Sequence, residues 1–337
     1  MKKVSVIIPC FNATKYLPKC FMSLVQQTIG IDQIELIFVD DASTDEDATW
    51  NMLQEFERAY PESIKILKLE ENMRQGGARN VALQYATGEY IAFVDADDFV
   101  SENFLLETYE KAKESDADII QFEYFYYTDR LGAVDSGRNI TPEVIEISSV
   151  SDRKRFLISE KVTYGCWNKL YRHTLLNEAH IAYAEHVIYE EPLFVYPLLY
   201  FANKIVILND AYYYYRQNDS GTMRNDMRQE ETLKMHADVQ LAVWNFMKKT
   251  PFFKEYYDEI KLYFLHTYLY ETLYFAKLRD FKPSYAFYKE LEKTVITEVP
   301  DYDESTYSAL IPKQMELYRM IGEGMTEEKF GGYWERL

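Results

Sequence analysis

Four short apolar runs, VSVIIP, IELIFVD, IKILKL and YIAFVD, punctuate the first hundred residues, and a helical stretch separates each from the next. IELIFVD is apolar on both faces, which suits a strand covered on both sides within a parallel sheet. Ala13 to Gln27 reads as a helix. Ser43 with Glu46 three residues on resembles a capping box opening a second, and Asn72 caps a third that runs to about Ala86. A β-α-β-α-β-α-β order with right-handed crossovers predicts a doubly wound, mostly parallel α/β sheet.

Ligands of such sheets collect beyond the carboxyl ends of the strands. Here those ends are polar: PCFN after the first strand, VDDASTD after the second and VDADD after the fourth. Three polar clusters therefore converge on one rim. Asp95, Asp97 and Asp98 are the most demanding, because carboxylates beside a buried strand are costly unless something positive meets them. The chain has no GxxxxGK[ST] loop, no GxGxxG after its first strand and no HExxH. Five histidines and three scattered cysteines argue against zinc. Oxygen ligands alone suit Mg²⁺ or Mn²⁺, which keep waters and take diphosphates readily. The expectation is a divalent ion on the Asp cluster that holds a diphosphate.

At 337 residues the chain exceeds a single small domain and points to one large domain with an appendage. Its 37 basic and 55 acidic residues leave a net charge of −18, which argues against nucleic acid as a partner. Cys10, Cys20 and Cys166 fit neither a zinc site nor a disulfide framework and read as reduced, buried thiols. The apolar run Val4 to Ile8 is closed by Pro9 and Asn12, too short for a secretory signal, and nothing approaches the roughly 18 residues of a membrane span. The expected location is cytoplasmic, with peripheral contact at the inner face of the membrane left open.

Beyond Asp98 the pattern loosens. ADIIQFEYFYYT, VIEI and AYYYYRQ read as strands, SDRKRFLISE as a helix, and IYEEPLFVYPLL as a helix with Pro192 in its first turn. After Arg224 the chain turns to long, Tyr-rich helices. Leu262, Leu265, Leu269 and Leu273 make one stripe, and Tyr263, Tyr270 and Tyr274 another. A helix apolar on two sides is packed on both, in a core or against a second subunit, with membrane-surface binding as the rival.

PCFNATKYLPKCFMSLVQQT, VDDASTDE, NMRQGGARNVAL and GEYIAFVDADD, in that order, resemble the donor-binding half of a family 2 glycosyltransferase with the GT-A fold. WNKLY, YEEPLF and YYYYRQNDSGTM extend the resemblance, more loosely, over about two thirds of the chain. It implies a GT-A domain over 1–224, with a nucleotide-sugar half at 1–98 and an acceptor half at 99–224; the helical region expected at 225–337 lies beyond it. It implies transfer of a sugar, with inversion, from a nucleotide-diphospho-sugar (UDP favoured) to a glycan or lipid-linked glycan hydroxyl in polysaccharide or glycoconjugate biosynthesis.

The resemblance also distributes roles. Pro9, Phe11 and Asn12 would lie along the nucleoside, with Asp40 and Asp41 facing the base or ribose; helix capping is the rival role for this pair. Arg79 would face the ribose or diphosphate, with Gly76 and Gly77 letting the backbone close on the ligand. Asp95 would meet the ribose and Asp97 the metal, Mn²⁺ or Mg²⁺, with Asp95 as a second metal ligand and Asp98 capping the next segment or holding a metal-bound water. Glu191 would be the catalytic base, with Glu190 the alternative; the family more often has Asp at this second position. Trp167, Lys169, Arg216, Ser220 and Thr222 would face the acceptor or diphosphate. Two other readings compete: a phosphatase of the haloacid dehalogenase kind, which also carries DxD after a strand, and a transferase fold kept as a non-catalytic assembly module.

Overall fold

The computed structural model describes residues 2–217 and 230–337. The chain divides into two compact units, Met1–Asn218 and Asp219–Leu337.

The first unit opens with β1 (Val4–Cys10), α1 (Leu17–Val25), β2 (Ile34–Asp40), α2 (Ala48–Ala59), β3 (Ile64–Lys68), α3 (Arg74–Leu83) and β4 (Tyr90–Phe93). These four strands lie in the order β3-β2-β1-β4 and pair in parallel, Val4 opposite Ile34 on one side and Tyr90 on the other. Every residue of β1 and β4 is buried, which accounts for their unbroken apolar character. β5 (Phe99–Val100), α4 (Phe104–Ser115), β6 (Ile119–Thr128), β7 (Gly132–Asp135), β8 (Glu143–Glu146) and α5 (Val150–Leu157) follow. After them come β9 (Lys169–Arg172), α6 (His173–Ala179), α7 (Glu191–Leu198) and β10 (Lys204–Arg216). The sheet continues as β9-β6-β10-β5. β6 and β10 are parallel, whereas β9 runs antiparallel to both β4 and β6. The result is a mixed, mostly parallel α/β sheet. Cys10, Cys20 and Cys166 are free and buried.

Local signals were less exact than the periodicity. The expected capping box at Ser43 and Glu46 does not form. Ser43 Oγ accepts the amide of Asn12 instead (2.9 Å), and Glu46 takes a left-handed backbone (φ 56°). Asp45 serves the helix start, bonding both the amide and the hydroxyl of Thr49. Two flanking turns thus compete for the same small polar side chains, and the contact across the rim wins at Ser43.

The second unit is helical: Glu230–Met247, a run from Tyr257 to Leu278, Tyr285–Glu298, Pro312–Gly322 and Glu327–Arg336. The middle run is not one regular helix, because Leu265–Glu271 is π-helical. The wider turn shifts the register of side chains on either side of it. Leu265, Leu269 and Leu273 are buried as expected, but Leu262 is not; Lys261 is buried in its neighbourhood and pairs with Asp301 (2.6 Å). Tyr263 and Tyr270 are buried as well. No helix among the described residues is long and apolar enough to cross a membrane.

Candidate active site

The loop that leaves β4 carries Asp95, Asp97 and Asp98, and β10 fastens it. The Tyr213 hydroxyl accepts the Asp95 amide (3.1 Å) and donates to Asp98 Oδ2 (2.7 Å). The Arg216 amide donates to Asp98 Oδ1 (2.6 Å). Burial, reinforced by the negative charges of Asp97 and Asp95, pushes the Asp98 carboxyl well above the usual range. Asp98 therefore ties the loop after β4 to β10. The Arg216 side chain, expected on the acceptor or diphosphate side, folds back on the same loop. Its Nε–H donates to the Asp97 carbonyl (2.8 Å) and Nη1 to Asp129 (2.6 Å), and its cation lies 4.6 Å from the Tyr16 ring centre.

A second set of charges meets this loop from below. Arg79, on α3, is 1% exposed. Its Nη2 pairs with Asp95 Oδ1 (2.7 Å) and its Nη1 with Glu190 Oε1. Both terminal nitrogens of Arg79 are thus bound to carboxylates, while its Nε–H is buried without an acceptor. A Cβ on Gly76 would stand 2.1 Å from the Ala184 carbonyl and 3.0 Å from Glu190 Cγ. The close approach that Gly76 allows is to the chain's own segment at Ala184 and Glu190.

Glu191 is the first residue of α7 and Glu190 its N-cap. Glu191 Oε1 accepts the Cys166 amide (2.7 Å). Burial, and the negative Glu190 beside it, push the Glu191 carboxyl up to about 7. Lys169 is fully buried and secures the segment that carries Cys166, donating to Thr163 Oγ1 (3.0 Å), the Gly165 carbonyl (2.6 Å) and Asn168 Oδ1 (2.8 Å). Burial pulls its ammonium down to about 7. Trp167 joins an aromatic group, stacked on Tyr215 (5.3 Å between centres) and edge-on to Tyr124 (4.8 Å), with Tyr126 exposed beyond them.

On the expected nucleoside side, Phe11 is exposed, whereas Pro9 is buried within β1. Asn12 is bound to the neighbouring loop: its Oδ1 accepts the Thr44 amide (2.8 Å) and its Nδ2 donates to Thr44 Oγ1 (3.2 Å). Asp41 Oδ1 accepts the Met73 amide (2.7 Å), so it caps the approach to α3. Asp40 differs. One oxygen accepts the Ser43 amide (3.0 Å), while Oδ2 is buried with no partner. A buried orphan oxygen is costly and fits an acceptor waiting for a ligand N–H or O–H. Ser220 and Thr222 lie outside the described residues.

The sequence reading missed Tyr213 and the Cys166 amide. Strand alternation puts Tyr213 and Tyr215 on one face of YYYY, a signal that was available; nothing local marks an amide. Among the described residues no group of three or more His, Cys, Asp and Glu side chains could ligate a metal. Asp97 is partly exposed, as a carboxylate shared with an incoming ligand must be. That donor set fits a hard divalent ion that takes its remaining ligands from water and a diphosphate.

The profile described as glycosyl transferase family 2 matches residues 5–181. GlyG, a glycosyltransferase of Streptococcus pneumoniae, is 31% identical over 240 residues, covering 66% of this chain and 73% of GlyG. TarS of Staphylococcus aureus, a poly(ribitol-phosphate) β-N-acetylglucosaminyltransferase, is 30% identical over 66% of this chain, which spans only 36% of TarS. The crystal structure of TarS residues 1–349 in complex with UDP superposes with a TM-score of 0.70 at 22% identity, covering 98% of this chain and 89% of that one. The ordered rim, the GT-A sheet and a match over more than half of the chain agree: this chain belongs to glycosyltransferase family 2.

Proposed function

We propose that the chain transfers a sugar from a nucleotide-diphospho-sugar to an acceptor hydroxyl with inversion, using Glu191 as the base. The observation that carries this reading is a carboxylate raised to about 7 on the same rim as Asp95 and Asp97. A base poised near neutrality is effective at physiological pH. Glu191 takes the proton of the acceptor hydroxyl, and the oxygen attacks the anomeric carbon as its bond to the diphosphate breaks. One displacement from the opposite face inverts the centre. The Cys166 amide and the α7 start orient Glu191, and the unpaired Asp40 oxygen accepts a hydrogen bond from the nucleoside. A divalent ion, Mn²⁺ or Mg²⁺, held by Asp97 with Asp95 as a neighbour, would offset charge on the departing diphosphate.

UDP is the favoured nucleotide because TarS was crystallised with it. By the name of that relative, a polyol-phosphate polymer joins glycans as an acceptor class, and a role in polysaccharide or glycoconjugate synthesis follows. We assign transfer to residues 1–224 and keep 225–337 as a helical appendage, open to a second copy of the chain or a membrane surface. Family membership sets aside the phosphatase reading. The non-catalytic reading is tested by turnover. A panel of UDP- and GDP-sugars, screened by thermal shift with and without Mn²⁺, should show a metal-dependent rise in Tm for one donor, followed by nucleotide release with acceptor. No shift and no release with any donor would sink the proposal.

A further inference from the structure

Arg79 is a buried cation with carboxylates at both ends, one from each half of the rim. Asp95 belongs to the loop after β4, and Glu190 stands at the head of α7, 111 residues from Arg79 in the chain. The segment leading to Glu190 is held against α3 along its length. Asn80 bonds both the amide (2.8 Å) and the carbonyl (3.0 Å) of Tyr183. The His186 amide donates to the Met73 carbonyl (3.0 Å), and Gly76 leaves room for Ala184 and Glu190. The Arg79 cation also lies 5.3 Å from the Tyr183 ring centre.

We propose that Glu190 is a positioning residue for the transfer reaction: through Arg79 it locks the head of α7, and hence Glu191, to the Asp95 loop, and its charge acts on the neighbouring base. This deepens the proposed function and rests on Glu191 being the base. Two adjacent acids at one helix start repel, and Arg79 neutralises only the first of them directly. The other groups facing Glu191 are the Cys166 thiol and amide, Lys169 and Tyr171 on β9, Tyr215 on β10, and Asp95. Among these Lys169 and Arg79 favour the carboxylate, while Glu190 and Asp95 oppose it. Glu190→Gln removes this charge and its ion pair with Arg79, so Glu191 should become more acidic and the head of α7 less firmly held.

The test is a pH titration of carboxyl groups by infrared difference spectroscopy on the intact chain, which needs no substrate. A carboxyl band that titrates near neutrality should be the one lost in Glu191→Gln, distinct from the raised Asp98. In Glu190→Gln that band should move down by on the order of one pH unit. Glu190→Asp, which keeps the charge, should leave it close to wild type and rescue the effect; this variant also serves if Glu190→Gln does not fold. An unmoved band in folded Glu190→Gln overturns the proposal, as does an equal shift in Glu190→Asp. If the band behaves as expected but Glu191→Gln retains wild-type turnover with a UDP-sugar, the base assignment fails while the charge coupling stands.

Discussion

The rim carries two doublets of neighbouring acids, Asp97–Asp98 and Glu190–Glu191, and the fold treats them alike up to a point. In each, one carboxylate is committed to structure and its neighbour is the one we propose to act on the ligand. Asp98 is bound by neutral donors, the Tyr213 hydroxyl and the Arg216 amide, and is pushed toward its protonated form. Glu190 is bound by a full guanidinium. Beside the ion-paired Glu190, burial first and the Glu190 charge second raise the Glu191 carboxyl to about 7, the range that suits the base we propose it to be. The same motif, two acids in a row, thus differs in what holds the committed acid: neutral donors at Asp98, a guanidinium at Glu190.

The comparison can be broken from several sides. The largest effect should come from Glu191→Gln, which should lower kcat by roughly 10² to 10⁴ with donor affinity nearly constant, as measured by steady-state kinetics and calorimetry. Equal losses in Glu190→Gln and Glu191→Gln would mean that the doublet does not divide its roles. Next in size is Asp98→Leu, which leaves the Tyr213 hydroxyl and the Arg216 amide without their acceptor. Urea unfolding should show a loss on the order of 2–4 kcal/mol. Asp97→Asn should leave stability unchanged and weaken donor binding roughly tenfold in Mn²⁺, with EDTA producing the same loss on the wild type. If Asp97→Asn destabilises as much as Asp98→Leu, the two acids share one structural role.

The smallest effect is a profile rather than a loss. Glu191 must be deprotonated to take a proton, so wild-type kcat should rise as pH climbs through about 7 and level off above it. A flat profile between pH 5.5 and 8.5 would remove Glu191 from the rate-limiting step (the limits are chosen about 1.5 units to either side).

Much of the first unit was legible because its signals are local. Strand periodicity gave β1 to β4 and their parallel order, and carboxylates after an apolar run marked the rim. The Arg79–Glu190 pair was not legible, since its members are 111 residues apart and each alone looks like a surface charge. Asp41 and Asn12 were assigned to the nucleoside, but short polar side chains in adjoining turns also bond one another, and one sequence does not rank the two uses. In the helical unit a single π-helical segment was enough to defeat a stripe drawn at a constant period.

β9 also bears on how the chain is made. Its four residues, Lys169–Arg172, lie between β4 and β6, strands completed by residue 128. Until β9 is synthesised, the facing edges of β4 and β6 have no partner between them. Between the end of β4 at Phe93 and the start of β9 at Lys169 a ribosome needs roughly 4 to 15 s. For roughly the last 2 to 8 s of it, once Thr128 has completed β6, two strand edges remain open to another nascent chain. Low temperature or slow codons downstream of β6 would lengthen the exposure, and aggregation during expression should track that delay more closely than it tracks the stability of the finished protein.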